Sequence, residues 1–216
     1  MSIVAKYPLN GNANDSSGNG LNLTINGATS KTLRGWNGCY FFDGNDYLNG
    51  GNILNMGTND WTCAFWVNPT TITGLHGLVG KTSIATGQRW AIYYRPTTGT
   101  IAILIAGSTA GSLIFQEISN TYTPLNTWTH LVGTWDRDSN MALWVNGIKI
   151  NEWDISALNG VNITNASTPL HIGSYPDNSY LPANFFNGLI DEVALYNHAL
   201  SPAEVKNLYM YYKGFF

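Results

Sequence analysis

Eight Asn-Gly dipeptides divide this chain into short segments, and they constrain its fold more than any other sequence feature. Asparagine and glycine both tolerate positive φ angles, so the pair favours the tight turns that join antiparallel strands. The dipeptides begin at Asn10, Asn19, Asn26, Asn37, Asn49, Asn146, Asn159 and Asn187. Many short strands separated by such turns predict a β-sandwich or a β-barrel.

The segments between the turns alternate with a period of two, as strands with one buried face do. One predicted strand places Trp61, Cys63, Phe65 and Val67 on one face and Thr62, Ala64, Trp66 and Asn68 on the other. Residues 143–150 predict a hairpin, because β-branched arms flank Asn146-Gly147. No internal repeat and no Pro/Ser-rich linker interrupts the pattern, which predicts a single all-β domain over residues 1–216.

One helix is predicted, near the C-terminal end of the sequence. Ser201 is a favourable cap, Pro202 suits the first helical position, and Glu204 completes a capping box. Apolar and aromatic residues then share one face at helical spacing, namely Val205, Leu208, Tyr209 and Tyr212. We therefore expect a short helix that packs against the sandwich.

The distribution of charged and apolar residues excludes nucleic acids and the membrane interior as partners. Charged residues make up 11% of the chain, against about 25% in an ordinary globular domain. No two of the ten Lys and Arg residues are adjacent, so the chain lacks the basic stripe that nucleic-acid binding requires. It also lacks a run of roughly 18 apolar residues, so no membrane insertion is expected.

The redox state of the two cysteines stays open at this stage. Cys39 and Cys63 both lie in apolar, strand-like segments. They are either two small buried thiols or a disulfide between neighbouring strands.

Four motifs, in order along the chain, resemble those of laminin-G-like, concanavalin A-like lectin/glucanase domains. They are the opening segment 7–20 with its Asp15-Ser16-Ser17-Gly18-Asn19 loop, the segment 42–48, the segment 128–135 followed by Val145-Asn146-Gly147, and the closing segment 186–205. The resemblance covers nearly the whole chain. It implies a two-sheet antiparallel β-sandwich, a lectin-like jelly roll, with one short C-terminal helix.

A metal site is predicted where the chain ends meet. The loop 12–19 is dense in carboxylate and amide oxygens, which are the ligands that calcium prefers. Asp191 interrupts an apolar strand, so its charge needs a partner. The resemblance implies a structural Ca2+ held by Asp15, Asn12, Asn19 and Asp191, with Asp43 or Gly44 as contributors. The alternative is that Asp15 and Asn19 form Asx-turns and that Asp191 binds backbone amides.

No catalytic residues are assigned, and the chain is predicted not to be an enzyme. Glycosidases need a pair of carboxylates on one sheet face. Glu152 and Asp154 have that spacing around Trp153, whereas Asp136 and Asp138 lie in a predicted turn. The acidic motif of the glucanase relatives is missing, so a glycosidase is the third and weakest hypothesis.

Aromatic residues suggest where a ligand binds, because aromatic faces stack on sugars while Asn, Asp and Arg bond hydroxyl groups. The favoured ligand-binding set is Tyr175, Asp177, Asn178 and Tyr180 in one loop, with Trp153. Other aromatic and basic candidates are Trp36, Trp66, Tyr93, Arg95 and Trp144. Most aromatic residues of so rich a chain are nevertheless expected in the core.

Two functions of different class follow from these features. The first is a non-catalytic lectin-like module that recognises glycans on a cell or particle surface. The second is a structural virion protein, such as a phage capsid decoration or a tail or fibre component, which acts through contacts with other structural proteins. The start of this chain does not resemble a signal peptide. The expected location is extracellular or on a virion surface, and a homo-oligomer is compatible with either function.

Overall fold

Fifteen strands and one α-helix form the part of the chain that the computed structural model describes, which is residues 2–32, 38–82, 87–95, 100–107, 113–176 and 181–216. The strands are β1 (Ile3–Tyr7), β2 (Thr24–Asn26), β3 (Thr29–Lys31), β4 (Cys39–Asp43), β5 (Tyr47–Gly51), β6 (Trp61–Pro69), β7 (His76–Lys81), β8 (Arg89–Arg95), β9 (Thr100–Ala106), β10 (Leu113–Ser119), β11 (Thr129–Trp135), β12 (Asn140–Val145), β13 (Ile148–Asp154), β14 (Leu170–Ile172) and β15 (Asn187–Tyr196). The helix is α1 (Pro202–Tyr212), and short 3-10 turns lie at Asn120–Tyr122 and Ser156–Leu158.

The strands form two antiparallel sheets that pack face to face. The first sheet has the order β13-β12-β11-β6-β15-β4-β3, and β1 also pairs with β15. The second has the order β10-β9-β8-β7-β14-β5-β2. The predicted two-sheet sandwich with one C-terminal helix is therefore confirmed.

The main core lies between the two sheets, and the period-two alternation decides which residues enter it. Cys63, Phe65 and Val67 of β6 face this core, whereas Ala64 packs in a separate cluster on the opposite face of the sheet. Three indoles fill one part of the core: the ring of Trp61 stacks on Trp135 with centroids 4.8 Å apart, and Trp90 packs against both. The faces predicted for β6 are therefore confirmed.

Helix α1 covers part of the outer face of the first sheet. Ser201 and Glu204 form the predicted capping box, with reciprocal bonds between each side chain and the backbone of the other. Val205 is fully buried against Trp144 and its neighbours, and Tyr212 is also buried. The helix therefore binds through the face that the sequence pattern predicted.

The cysteines are two separate buried thiols in this structure. Cys63 of β6 faces the main core. On β4 it is Tyr40 that faces this core, so the adjacent Cys39 points to the outer face of the sheet. Strand β15 lies between β4 and β6, so two strand spacings of about 4.8 Å separate the cysteines. A disulfide needs closer Cα atoms and converging Cβ atoms. Burial raises the pKa of both thiols.

No helix in the described residues is both long enough and apolar enough to cross a membrane.

Candidate functional site

The opening loop is fixed to the first strand by the carboxylate of Asp15. It accepts hydrogen bonds from the amide nitrogens of Lys6 (3.0 Å), Ser17 (2.9 Å) and Leu21 (3.0 Å), and from the Ser17 hydroxyl (2.8 Å). Burial opposes ionisation of this carboxyl, but the amide bonds outweigh it and hold its pKa below the ordinary value. Asp15 thus anchors the loop to β1.

The chain ends meet where β1 pairs with β15, as predicted from the sequence. Lys6 lies opposite Ala194 in this pairing, and the Lys6 ammonium is 3.8 Å from the Glu192 carboxylate. Beside it, β15 changes its neighbour from β4 to β1, and its register with β6 shifts between Asp191 and Ala194. Glu192 adopts a φ of 46° at this bulge, which is unusual for a residue with a side chain.

Asp191 is fully buried at the same bulge. Its Oδ1 accepts a bond from the amide of Glu192 (2.9 Å), while its Oδ2 has no hydrogen-bond partner among the described residues. Burial, together with the neighbouring Glu192 charge, raises the pKa of Asp191 to about 8. This side chain is therefore largely protonated at neutral pH.

The predicted calcium ligands do not present a set of open oxygens in this arrangement. Both Asp15 oxygens accept several bonds, and the side-chain oxygens of Asn12 and Asp43 accept from Asn14 and Asn45. The Asn19 amide donates to Val4 and Ser17. Among the described residues, no three His, Cys, Asp or Glu side chains lie in a group that could hold a metal. Calcium takes about six to eight oxygens, so the donors present do not fit that ion, and its binding stays a prediction.

The aromatic loop predicted to bind a ligand is only partly described. Tyr175 is buried and packs on Tyr93 of β8, with ring centroids 5.0 Å apart, over the outer face of the second sheet. Its ring therefore covers the sheet and does not stand free. Asp177, Asn178 and Tyr180 lie outside the described residues, so their predicted role stays a prediction.

Three of the other predicted platform residues, Trp153, Trp66 and Arg95, are covered or paired. Trp153 is half-buried and packs against the main core. The ring of Trp66 is buried under Phe216, with centroids 4.3 Å apart. Arg95 forms an ion pair with Glu117, and Trp36 lies outside the described residues.

A cleft of about 320 Å³ lies on the outer face of the first sheet, where the start of helix α1 meets strands β11 to β13. We call it the α1 cleft. Its sheet side is lined by Thr134, Asp136, Ser139, Asn140, Ala142, Trp144, Lys149 and Glu152, and its helix side by Ala199, Leu200, Ser201 and Pro202. Its volume is at the lower end of the roughly 300–1,000 Å³ range of small-molecule sites.

Trp144 lies at the base of the α1 cleft, where the residue is 5% exposed and packs in a cluster with Val205 of α1. Its indole N–H donates to the hydroxyl of Thr134 (3.1 Å), which fixes the ring on the sheet. Lys149 lies directly opposite Trp144 in the hairpin register, and its ammonium is 5.7 Å from the centre of the ring. The same ammonium donates to Glu152 (2.5 Å). The hairpin thus arranges an aromatic ring and an ion pair on one wall.

Asp136 lies at the other side of the cleft, in the turn after β11. Burial and the nearby acids Asp138 and Asp60 raise the pKa of Asp136 to about 6. Asn140 adjoins it, and its backbone oxygen accepts from the Asp136 amide (3.0 Å). Hydroxyl, amide and carboxylate groups around the base of the cleft can bond the hydroxyls of a saccharide.

The sequence predictions found Trp144 and Glu152 as separate candidates but did not place them in one site. The hairpin register could have shown that these residues share a site. In that register Lys149 pairs with Trp144 and Glu152 pairs with Ala142, on one face. Asp154, the other half of the predicted acidic pair, accepts from the amide of Ser156 (2.8 Å) and does not line the cleft.

Comparison with known families agrees with this architecture. A profile described as the concanavalin A-like lectin/glucanases superfamily matches residues 42–206. The chain belongs to this superfamily. A comparison with curated proteins finds no match.

Several solved structures with this fold are described as binding domains of toxins. The binding domain of Paraclostridial Mosquitocidal Protein 1 has a TM-score of 0.77 at 19% identity, over 98% of this chain and 52% of that one. The botulinum neurotoxin serotype D ligand-binding domain, solved with N-acetylneuraminic acid, has a TM-score of 0.75 at 15% identity, over 97% and 50%. The chain spans about half the length of these toxin domains.

A third structure matches over its full length. Domain 4 of AbnA, a GH43 extracellular arabinanase from Geobacillus stearothermophilus solved with arabinotriose, has a TM-score of 0.70 at 20% identity, over 96% of this chain and 98% of that one. At these identities the likeness shows the fold.

Proposed function

We propose that this chain is a non-catalytic carbohydrate-binding module that recognises surface glycans through the α1 cleft. The observation that supports this proposal is the composition of the cleft. The hydroxyls of Thr134 and Ser139, the amide of Asn140 and the carboxylates of Asp136 and Glu152 surround the small exposed part of the largely buried Trp144 indole. Saccharides offer the matching groups, since they have apolar C–H faces and hydroxyls that both donate and accept.

The relatives add support of a coarser kind. The neurotoxin domain was solved with a sialic acid and the arabinanase domain with an arabinose trisaccharide, so this fold serves sugar recognition in proteins of different function. A fold does not determine a ligand, and the assignment to the α1 cleft rests on the residues of this chain. A module of this kind would work at a cell or particle surface, where glycans are displayed.

A glycan array tests the proposal. The purified chain is applied in calcium and again with a chelator, alongside the cleft variants Asn140→Ala and Glu152→Gln. The control is Asp154→Asn, because Asp154 is exposed on the same strand as Glu152 but does not line the cleft. We expect binding to one saccharide class, a loss of about tenfold or more in the cleft variants, equivalent to about 1.4 kcal/mol, and no loss in the control.

Two results would overturn the proposal. Binding that survives both cleft variants but is lost in Asp177→Ala would move the site to the loop that contains Tyr175. No binding to any glycan in either condition would refute the lectin function and favour the alternative of a structural virion component that binds other structural proteins. The wild type then becomes the probe for co-sedimentation with purified particles.

A further inference from the structure

The charges in the α1 cleft are unequal. Lys149 is engaged by Glu152 at 2.5 Å, so these two side chains neutralise each other. Asp136 has no such partner: none of the ion pairs in the described part of the chain includes it. The guanidinium of the adjacent Arg137 points into the interior, where it donates to the carbonyl oxygens of Leu158 and Val161. The cleft therefore presents one unbalanced carboxylate.

The helix side of the cleft does not compensate this charge. A helix N-terminus attracts anions when its first amide groups are open. Here the Glu204 amide donates to the Ser201 hydroxyl (3.4 Å), Glu204 accepts from the Ser201 amide (2.8 Å), and Pro202 has no amide hydrogen. Glu204 also adds a negative charge at this end. An acidic sugar would meet the Asp136 carboxylate in the cleft and the Glu204 carboxylate at the helix end.

We propose that the α1 cleft selects saccharides that carry a free amino group, with the Asp136 carboxylate binding the ammonium. This inference rests on the proposed glycan-binding function and names its ligand class. A charge-assisted bond between ammonium and carboxylate is roughly twice as strong as a neutral one. An N-acetylated sugar offers only a neutral amide at the same position, and a carboxylated sugar is repelled.

The pH dependence follows from the groups around Asp136. Its acidic neighbours are Asp60 and Asp138, and the other charged or titratable groups at the cleft and its helix end are Lys149, Glu152, His198 and Glu204. Burial and the acidic neighbours raise the pKa of Asp136 to about 6, so the carboxyl ionises between pH 5 and pH 7. Binding of an amino sugar should therefore strengthen as the pH rises from 5 and the carboxyl ionises, and weaken again where the sugar amine loses its own proton.

Calorimetry with three tetrasaccharides tests the proposal: β-1,4-linked glucosamine, β-1,4-linked N-acetylglucosamine and α-1,4-linked galacturonate. We expect the glucosamine tetramer to bind the wild type about tenfold more tightly than the N-acetylated one at pH 7, equivalent to about 1.4 kcal/mol. Asp136→Asn should remove this preference, and Asp154→Asn should retain it. The Asp136 variant keeps the turn, because the bonds that form it join backbone atoms.

Each failure is distinct. Equal binding of the amino and N-acetylated tetramers, or tighter binding of galacturonate, would overturn the charge selection while the glycan-binding function stands. A preference for glucosamine that persists in Asp136→Asn would overturn the assignment to this carboxylate. Absence of binding to these three sugars, with a positive glycan array, would overturn the ligand class, and a blank array would overturn the function itself.

Discussion

Replacing Asp191 by Asn should stabilise this fold at neutral and alkaline pH. The carboxyl is fully buried, one of its oxygens has no partner in the described structure, and its pKa is raised from 3.8 to about 8. A carboxyl whose pKa is higher in the folded state binds its proton more tightly there. Its contribution to stability is therefore present below pH 4 and is lost as the pH rises from about 4 to 8.

The size of the effect follows from the shift. Each pKa unit corresponds to about 1.4 kcal/mol, so four units give a ceiling of about 6 kcal/mol, most of which is reached by pH 8. Asn retains the oxygen that accepts from Glu192, but its amide N–H groups need acceptors, which costs about 1–3 kcal/mol. We expect Asp191→Asn to gain about 3 kcal/mol relative to wild type between pH 5 and pH 8.

Urea unfolding followed by tryptophan fluorescence measures this difference, with the free energy of unfolding determined at pH 5, 6, 7 and 8. The control is Asp154→Asn, whose carboxyl is exposed and whose pKa is lowered by the Ser156 hydrogen bonds. Burial lowers the pKa of His130 and His171, which stabilises both proteins as the pH rises, so the readout is the difference between variant and wild type. This difference should grow in favour of the Asp191 variant from pH 5 to pH 8, and a difference that stays constant over that range would refute the reasoning.

Three further predictions concern the ends of the chain and the hairpin. Asp15→Ala removes four hydrogen bonds to a charged group and should cost about 3 kcal/mol; a chelator that lowers the melting temperature of the wild type but not of this variant would instead establish a calcium site. Ser201→Ala should cost about 1 kcal/mol in urea unfolding, because it removes the helix cap; no loss would show that packing alone fixes the helix start. Gly147→Ala should lower the free energy of unfolding by about 1–2 kcal/mol, because φ is 78° and the added Cβ would lie 3.1 Å from Tyr209. Gly214→Ala is the control, because its added Cβ would meet nothing within 4 Å.

Strand faces and the helix could be predicted from local patterns because burial follows the side-chain period directly. The alternation of β6 gave the inner and outer residues correctly. The turn signals were less uniform. Asn146 has the positive φ of a tight hairpin, with a φ of 51°, but Asn49-Gly50 lies within β5, where an added Cβ on Gly50 would lie 2.8 Å from Ile53. There, glycine allows close packing and does not form a turn.

The α1 cleft could not be predicted from these patterns, because it joins segments that are distant in sequence. Asp136 follows β11, Lys149 lies on β13, and Ser201 precedes the helix. Ser201 comes next to Asp136 and Lys149 only because α1 packs onto the sheet. Local alternation identifies which face a residue lies on, but not which loop or helix end will lie above it.

The chain ends are joined by hydrogen bonds and buried acids at the place where the resemblance implied a metal ion. Asp15 fixes the opening loop to β1, β1 pairs with β15, and Glu192 contacts both Lys6 of β1 and Tyr212 of the helix. Helix α1 is thus bound at its far end to the junction between the first and last strands, while its near end forms a wall of the α1 cleft.

A change that weakens the junction should therefore loosen the helix and reduce ligand binding, although no junction residue lines the cleft. Lys6→Met, which removes the cationic partner of Glu192 and leaves Tyr212, tests this coupling: we expect weaker glycan binding together with faster amide hydrogen exchange in α1. Faster exchange in α1 with unchanged glycan binding would show that the junction and the cleft are independent.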